Sequence, residues 1–218
     1  IVSYIDWTPF FQSWELAGRY PDILTDEVVG KEASKLYEDA IVLLEQILKD
    51  KLITAKAVIG LFPAQSVDDD VEVNINAQHL NEEPINSSPQ NIALHHLRQQ
   101  IKKASGQANF CLSDFIAPKE SGIQDYIGAF AVSAGFGVDE LVSRYEQAHD
   151  DYNAILVKAI ADRLAEAATE YMHHLVRTEV WGYDSDDGLN NDDKKMQILR
   201  IFLIFFKEGI FLYVYYEC

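Results

Sequence analysis

Histidines, cysteines and a surplus of carboxylates are the residues with which this chain could do chemistry, and their spacing narrows what that chemistry is. The histidines are His79, His95, His96, His149, His173 and His174, among them two adjacent pairs. Neighbours on a helix point about 100° apart, so an adjacent pair does not chelate one ion from one face. No H-E-x-x-H and no C-x-x-C occurs, and a protein-held metal is not expected. His174 falls on the apolar stripe of a long predicted helix and reads as a hydrogen-bonded core histidine rather than a ligand. Cys111 and Cys218 make neither a disulfide framework nor a zinc site; Cys111 reads as a buried, inert thiol, and the usage suits a reducing cytoplasm. Ala134-Gly135-Phe136-Gly137 holds a G-x-G without its third glycine and reads as a turn. There is no P-loop, no G-x-S-x-G and no nucleophile with a base nearby in sequence. As an autonomous enzyme the chain is poorly equipped.

The net charge is −17, from 35 acidic and 18 basic residues. Such a surface repels nucleic-acid backbones and anionic membranes, so neither is expected as a partner. A basic protein or a cationic ligand is accommodated more easily, although acidity also serves solubility alone. The 218 residues suit one large domain or two small ones, with 48% hydrophobic residues for a core. The chain opens on Ile1 rather than Met, which is expected of a piece of something longer, and no signal peptide is visible.

These residues must be positioned by a mixture of helices and strands. From Thr25 to Asp50, apolar residues recur at steps of three and four, among them Leu36 and Leu44, with Thr25 or Asp26 as cap. A second, longer helix is predicted from Asp151 to Val180, with a stripe of Tyr152, Ile155, Leu156, Ile160, Leu164, Ala167, Ala168, Tyr171 and Leu175. A shorter one is expected over Val138–His149. Ala55–Phe62 reads as a buried strand ended by Pro63, and Val71–Ile75 alternates cleanly. With Gln65–Asp70 as a turn, these two form a hairpin. Asn76–Asn91 reads as a loop, Ala93–Lys103 as a short basic helix, and Phe110–Ala117 and Tyr126–Ser133 as further strands, the last central and covered on both faces. Asp184–Lys195 reads as an acidic loop. The aromatic and aliphatic end, Ile198–Tyr216, approaches the length of a membrane span, yet Arg200, Lys207 and Glu208 interrupt it; a buried strand pair turning at Lys207–Gly209 is preferred.

Several blocks resemble one family, the activation domain of cobalamin-dependent methionine synthases. They include Tyr4-Ile5-Asp6-Trp7-Thr8-Pro9-Phe10-Phe11, His96-Leu97-Arg98-Gln99-Gln100, Asp114-Phe115-Ile116-Ala117-Pro118-Lys119, Asp125-Tyr126-Ile127-Gly128-Ala129-Phe130, and Ala161-Asp162-Arg163-Leu164-Ala165-Glu166-Ala167, ending at Trp181-Gly182-Tyr183. The resemblance covers residues 1–193, as an incomplete activation domain, and leaves 194–218 as a divergent C-terminal segment. It implies an α+β fold with a twisted, mainly antiparallel sheet flanked by long helices. It also implies binding of S-adenosylmethionine, docking over a separate cobalamin-binding module, and an electron from flavodoxin or a related reductase for remethylation of cob(II)alamin. The parent enzyme would methylate homocysteine, and the isolated fragment would be inactive. The alternatives are a non-catalytic module that caps the cobalamin module and recruits the reductase, or a non-functional gene fragment.

Two ligand-binding carboxylates carry over by position, Asp6 and Glu166. Carboxylates suit a ligand bearing an ammonium and a sulfonium. Each also has an ordinary reading: Asp6 as a turn or helix cap, and Glu166 as the partner of Arg163 one turn away. The family's Arg-x-x-x-Gly-Tyr motif, read RPAPGYP, has no counterpart, because Arg200 is followed by Ile-Phe-Leu-Ile. No arginine or tyrosine is therefore carried over from it, and weak binding of S-adenosylmethionine is expected.

Overall fold

The computed structural model describes residues 1–75, 90–182, 201–206 and 210–216, the last two stretches as backbone only. The predicted acidic loop, the turn at Lys207–Gly209, and most of the predicted 76–91 loop lie outside the described residues. Among the described residues no helix is long and apolar enough to cross a membrane. Helices and antiparallel strand pairs together make an α+β fold, as expected.

The chain divides into two compact units. The helical one comprises Ile1–Val58, Ala131–Gly188 and Ile204–Leu212. It holds α1 (Thr8–Ser13), α2 (Gly30–Asp50), α3 (Val138–Gln147) and α4 (Asp151–Leu175). Helix α2 begins five residues later than predicted. Asp26 does cap, but its Oδ1 accepts from Val28 and Val29 N–H in a turn ahead of the helix, while Asp22–Thr25 forms a separate 3-10 turn. The core stripe is as predicted at Leu36, Leu44, Ile160 and Leu164, all buried. Tyr171 is only half-buried, and Tyr152 and Ile155 are exposed; small residues, Ala154, Ala165 and Thr169, take their share of the buried face. An aromatic cluster binds the N-terminal segment to α2. Trp7 meets Phe10 and Tyr37 edge-on at 5.3 and 5.0 Å, and the hydroxyls of Tyr20 and Tyr37 lie 3.1 Å apart. Truncating buried Phe10 or Phe11 to alanine would cost about 3–5 kcal/mol.

The second unit comprises Ile59–Phe130, Leu189–Leu203 and Tyr213–Cys218. It holds β2 (Asp70–Ile75), β3 (Gln90–His95) and parts of β1 (Thr54–Val67), β4 (Asp125–Phe136), β5 (Ile201–Phe206) and β6 (Ile210–Tyr216), whose remaining residues belong to the helical unit; the strand order is β3-β2-β1-β4-β6-β5. The predicted hairpin is present, with Val67 opposite Asp70 across a two-residue turn in which Asp68 takes φ 53°. Val71 and Val73 point into a core with Ala64, Ile116 and Ile127. Strand β4 stands between β1 and β6, central as predicted, with Phe130 and Val132 buried. The C-terminal strands match the preferred strand-pair reading in their backbone.

Four predictions fail here. Pro63 does not end β1: the described register with β2 begins at Ala64, so the missing proline N–H falls outside it. Nor is the start of β1 buried; Val58 is 63% exposed. Ala93–Lys103 is not a helix. Its first residues pair with β2 as the end of β3, and Gln99 N–H then bonds Phe110 O, a long-range pairing that overrides the helical spacing of Leu94, Leu97 and Ile101. Phe110–Ala117 is not a strand but a 3-10 turn, Leu112–Phe115, capped by Asp114, whose Oδ2 accepts from Cys111 N–H at 2.8 Å.

Gly137 joins β4 to α3 at φ 97°, and a Cβ there would lie 2.2 Å from Leu52 O. Gly137→Ala is expected to lower unfolding stability by about 1–3 kcal/mol in urea titration, whereas Gly135→Ala, whose nearest neighbour is 3.6 Å away, should change little.

Candidate functional site

Asp6 and Glu166 both belong to the helical unit. Asp6 is half-buried, and its Oδ1 accepts from Thr8 N–H at 2.9 Å, tightening the turn that leads into α1. The capping role is thus realised in a bond. The residue is held from both sides in sequence. Trp7 is buried in the aromatic cluster, and Tyr4 packs against α4, edge-on to Tyr171 at 5.7 Å and tilted against His174 at 6.2 Å.

Glu166 lies on α4 and accepts from Arg163 Nη1 at 2.5 Å; Arg163 also reaches Asp162. The Arg163 side chain is 12% exposed and that of Glu166 43%. The ordinary ion-pair reading is therefore realised as well, but half of the carboxylate still meets solvent, where such a pair is worth under about 1 kcal/mol. Glu166, Glu170 and His174 recur every four residues and so line one side of α4. That side is where Tyr4 rests. The structure brings the segment carrying Asp6 onto the helix carrying Glu166, with Tyr4, Tyr171 and His174 as the joint. Sequence reasoning missed this aromatic joint; the four-residue recurrence on α4 was the signal that could have found it.

Of the adjacent pair on this helix, His173 and not His174 is the core residue. His173 is buried, whereas His174 is half-buried against Tyr4. Periodicity misassigned them because the stripe was drawn through Tyr152, Ile155 and Tyr171, whereas His173 continues the buried steps of Ala165 and Thr169; α4 then runs into a π turn, Val176–Val180, where Arg177 is also buried. Burial, with help from Arg177, pushes the His173 imidazole down to about 4.

In the sheet unit, Arg98 is the principal polar hub. Its guanidinium donates to Asp69 and Asp114 at 2.7 Å each and to Asn109 O at 2.9 Å. Asp114 is held below the usual carboxylate range, chiefly by that bond. His95 pairs with Asp70 at 2.8 Å. Among the described residues no group of three or more His, Cys, Asp or Glu is placed to hold a metal ion. Cys111 is buried, its thiol donating to Asp69 O.

Residues 1–198 match the model of the vitamin B12-dependent methionine synthase activation domain. The chain belongs to that family. A crystal structure of the MetH reactivation domain bound to AdoHcy is similar throughout: 40% sequence identity and a TM-score of 0.81, covering 98% of this chain and 74% of that one. The chain is thus an activation domain, part of a family of methyltransferases.

The activation domain should carry a pH signature from His173. Its folded pKa lies below the ordinary value of 6.5, so below pH 6.5 the unfolded chain takes up a proton that the folded one refuses. This contribution is fully present above pH 6.5 and falls away as the pH drops toward 4. Urea titrations at pH 7 and pH 5 should differ by on the order of 2 kcal/mol from this residue, and His173→Gln should flatten the slope in that window.

Proposed function

We propose that this activation domain binds S-adenosylmethionine with Asp6 and Glu166 on the rim of one groove, and presents it to a cobalamin held by a separate module of the parent enzyme. The observation that carries the reading is the similarity, across 98% of the chain, to a reactivation domain bound to AdoHcy. The residues fit the ligand's cationic end. Two carboxylates, one half-buried and one partly exposed, stand on elements that pack together, and both remain acceptors for an ammonium or sulfonium. The half-buried ring of Tyr4, two residues from Asp6 and packed on α4 at Tyr171 and His174, offers an aromatic face, which attracts a cation as well.

The ligand supplies a methyl group, and this chain's part is to hold and orient it. In the parent enzyme the methyl serves remethylation of cobalamin after reduction by flavodoxin or a related reductase, so that homocysteine methylation in the cytoplasm can resume. We assign residues 1–193 to the activation domain, five short of the end of the family match, and 194–218 to a divergent segment.

The ligand's carboxylate is the weak point. The family's arginine is a planar, bidentate partner, and its motif does not occur in this sequence. Losing one such contact costs about 1.5–3 kcal/mol, roughly ten- to a hundredfold in affinity. That absence favours a second reading, a module that caps the cobalamin module and recruits the reductase without binding the methyl donor itself.

Isothermal titration with S-adenosylmethionine separates the two. The chain is expected to bind weakly, and Asp6→Asn or Glu166→Gln should weaken binding by a further tenfold or so. Micromolar affinity would mean that another residue replaces the lost arginine. Binding indifferent to both substitutions would remove the groove assignment, and no binding at all would leave the capping role.

A further inference from the structure

We propose that Glu170 is a third ligand-facing carboxylate of the helical unit, the one that selects the sulfonium of S-adenosylmethionine over the neutral thioether of AdoHcy. The proposal rests on the S-adenosylmethionine reading and adds to it a residue and a charge preference.

Two ring contacts fix how the N-terminal segment lies on α4. Near the end of the helix, Tyr4 meets Tyr171 at 5.7 Å and His174 at 6.2 Å. Near its start, Trp14 meets Tyr152 at 5.5 Å. Helix α1 lies between Tyr4 and Trp14 in sequence and also packs on α4. The segment therefore runs along the helix in the opposite direction. Asp6, two residues after Tyr4, lies on the part of that run that leads back from His174 toward the middle of α4. Glu170 follows Tyr152 by about five turns at 3.6 residues per turn, so the two stand on one line along the helix. His174 is one turn further on and Glu166 one turn back. Glu170 thus lies on the strip between the two ring contacts, beside Tyr171 and His174, on which Tyr4 rests. It is half-buried there, and exposed Lys158 and Asp162 open the adjoining side of the helix to solvent. This is a rim position.

The three carboxylates are not equivalent. Asp6 Oδ1 accepts from Thr8 N–H at 2.9 Å, and Glu166 accepts from Arg163. The Arg163 side chain is largely buried, so its charge stays beside Glu166 and offsets it. An ammonium carries three N–H donors and is served by single acceptor oxygens, such as those that Asp6 and Glu166 still offer. A sulfonium carries no donor. It is recognised by field alone, from a carboxylate at close range and from the faces of aromatic rings. Glu170 is the carboxylate at which both come together, because its neighbours on the helix are the residues that hold the Tyr4 ring. AdoHcy keeps the ammonium and the carboxylate but lacks the charge on sulfur, so the two ligands separate a sulfonium contact from every other.

Isothermal titration of the whole chain with S-adenosylmethionine and with AdoHcy, each carried to high ligand concentration, tests this as a cycle between one side chain and one ligand charge. Glu170→Gln should weaken S-adenosylmethionine by about tenfold and AdoHcy by less than about twofold. Glu45→Gln, on the exposed side of α2, changes the net charge equally and should shift neither. Circular dichroism confirms the folding of each variant. If Glu170→Gln does not fold, Glu170→Asp carries the test, with a loss of about two- to threefold confined to S-adenosylmethionine. Equal loss for both ligands, or no loss, overturns the proposal. If Asp6→Asn or Glu166→Gln weakens binding while the Glu170 variant does not, the S-adenosylmethionine reading stands without this residue. Failure to bind either ligand, or binding indifferent to all three substitutions, removes both.

Discussion

Burial of one broad face of α4 is the constraint on which the helical unit depends. Leu156, Val157 and Ile160 are completely inaccessible, and Ala154, Ala165, Ala167 and Ala168 are buried around them. A helix packed against several neighbours needs small residues where they approach closely, and the alanines supply them. Helix α3 packs on its first half, α1 and α2 also contact it, and the Val2–Tyr4 turn closes over its second half. The uncovered side runs from Tyr152 and Ile155 through Lys158 and Asp162 to the half-buried Glu166, Glu170 and His174. The polar groups therefore sit where packing leaves room, on a helix fixed by its buried face. This is the rigid support that a ligand-positioning carboxylate needs.

The long helices were legible because a 3.6-residue recurrence sustained over twenty residues has few competing explanations. Their details were less so. The stripe on α4 placed Tyr152, Ile155 and Tyr171 in the core, where bulk and hydrophobicity suggested them. The structure buries alanines and Thr169 instead, since close helix packing selects for smallness as well as for apolarity. The strands divided in the same way. Alternation over Val71–Ile75 and the apolar run of β4 were local signals. The fate of residues 93–117 was not, because it is decided by partners far away in sequence. Leu94, Leu97 and Ile101 have helical spacing, but β2 captures the first and the clamp on Arg98 bends away the rest.

The candidate site shows a similar division. Read alone, Asp6 was a cap and Glu166 half of an ion pair, and both bonds are present. Nothing in their spacing, 160 positions apart, pointed to a common ligand; that came from the order of long blocks shared with a family. Arg98 lay inside one of those blocks, yet its two carboxylates could not be paired with it from sequence, since they approach from a hairpin turn upstream and a 3-10 turn downstream. The His173–His174 assignment failed because the wheel was centred on the bulky Tyr152, Ile155 and Tyr171, while the buried face runs through Ala165 and Thr169 to His173.

The hairpin turn between β1 and β2 carries three aspartates in a row, Asp68, Asp69 and Asp70. Arg98 takes Asp69 and His95 takes Asp70, from 29 and 25 residues downstream. Until that later chain arrives, the tip holds three neighbouring negative charges with no cation of their own, and like charges so close oppose closure. A two-residue turn is ordinarily a local event, formed early and cheaply. Here it is completed only when a loop of nearly thirty residues has also closed, which raises the effective contact order of the whole meander. The closing of β1 on β2 is thus tied, through these two pairs, to the placement of β3 and of Arg98 beyond it.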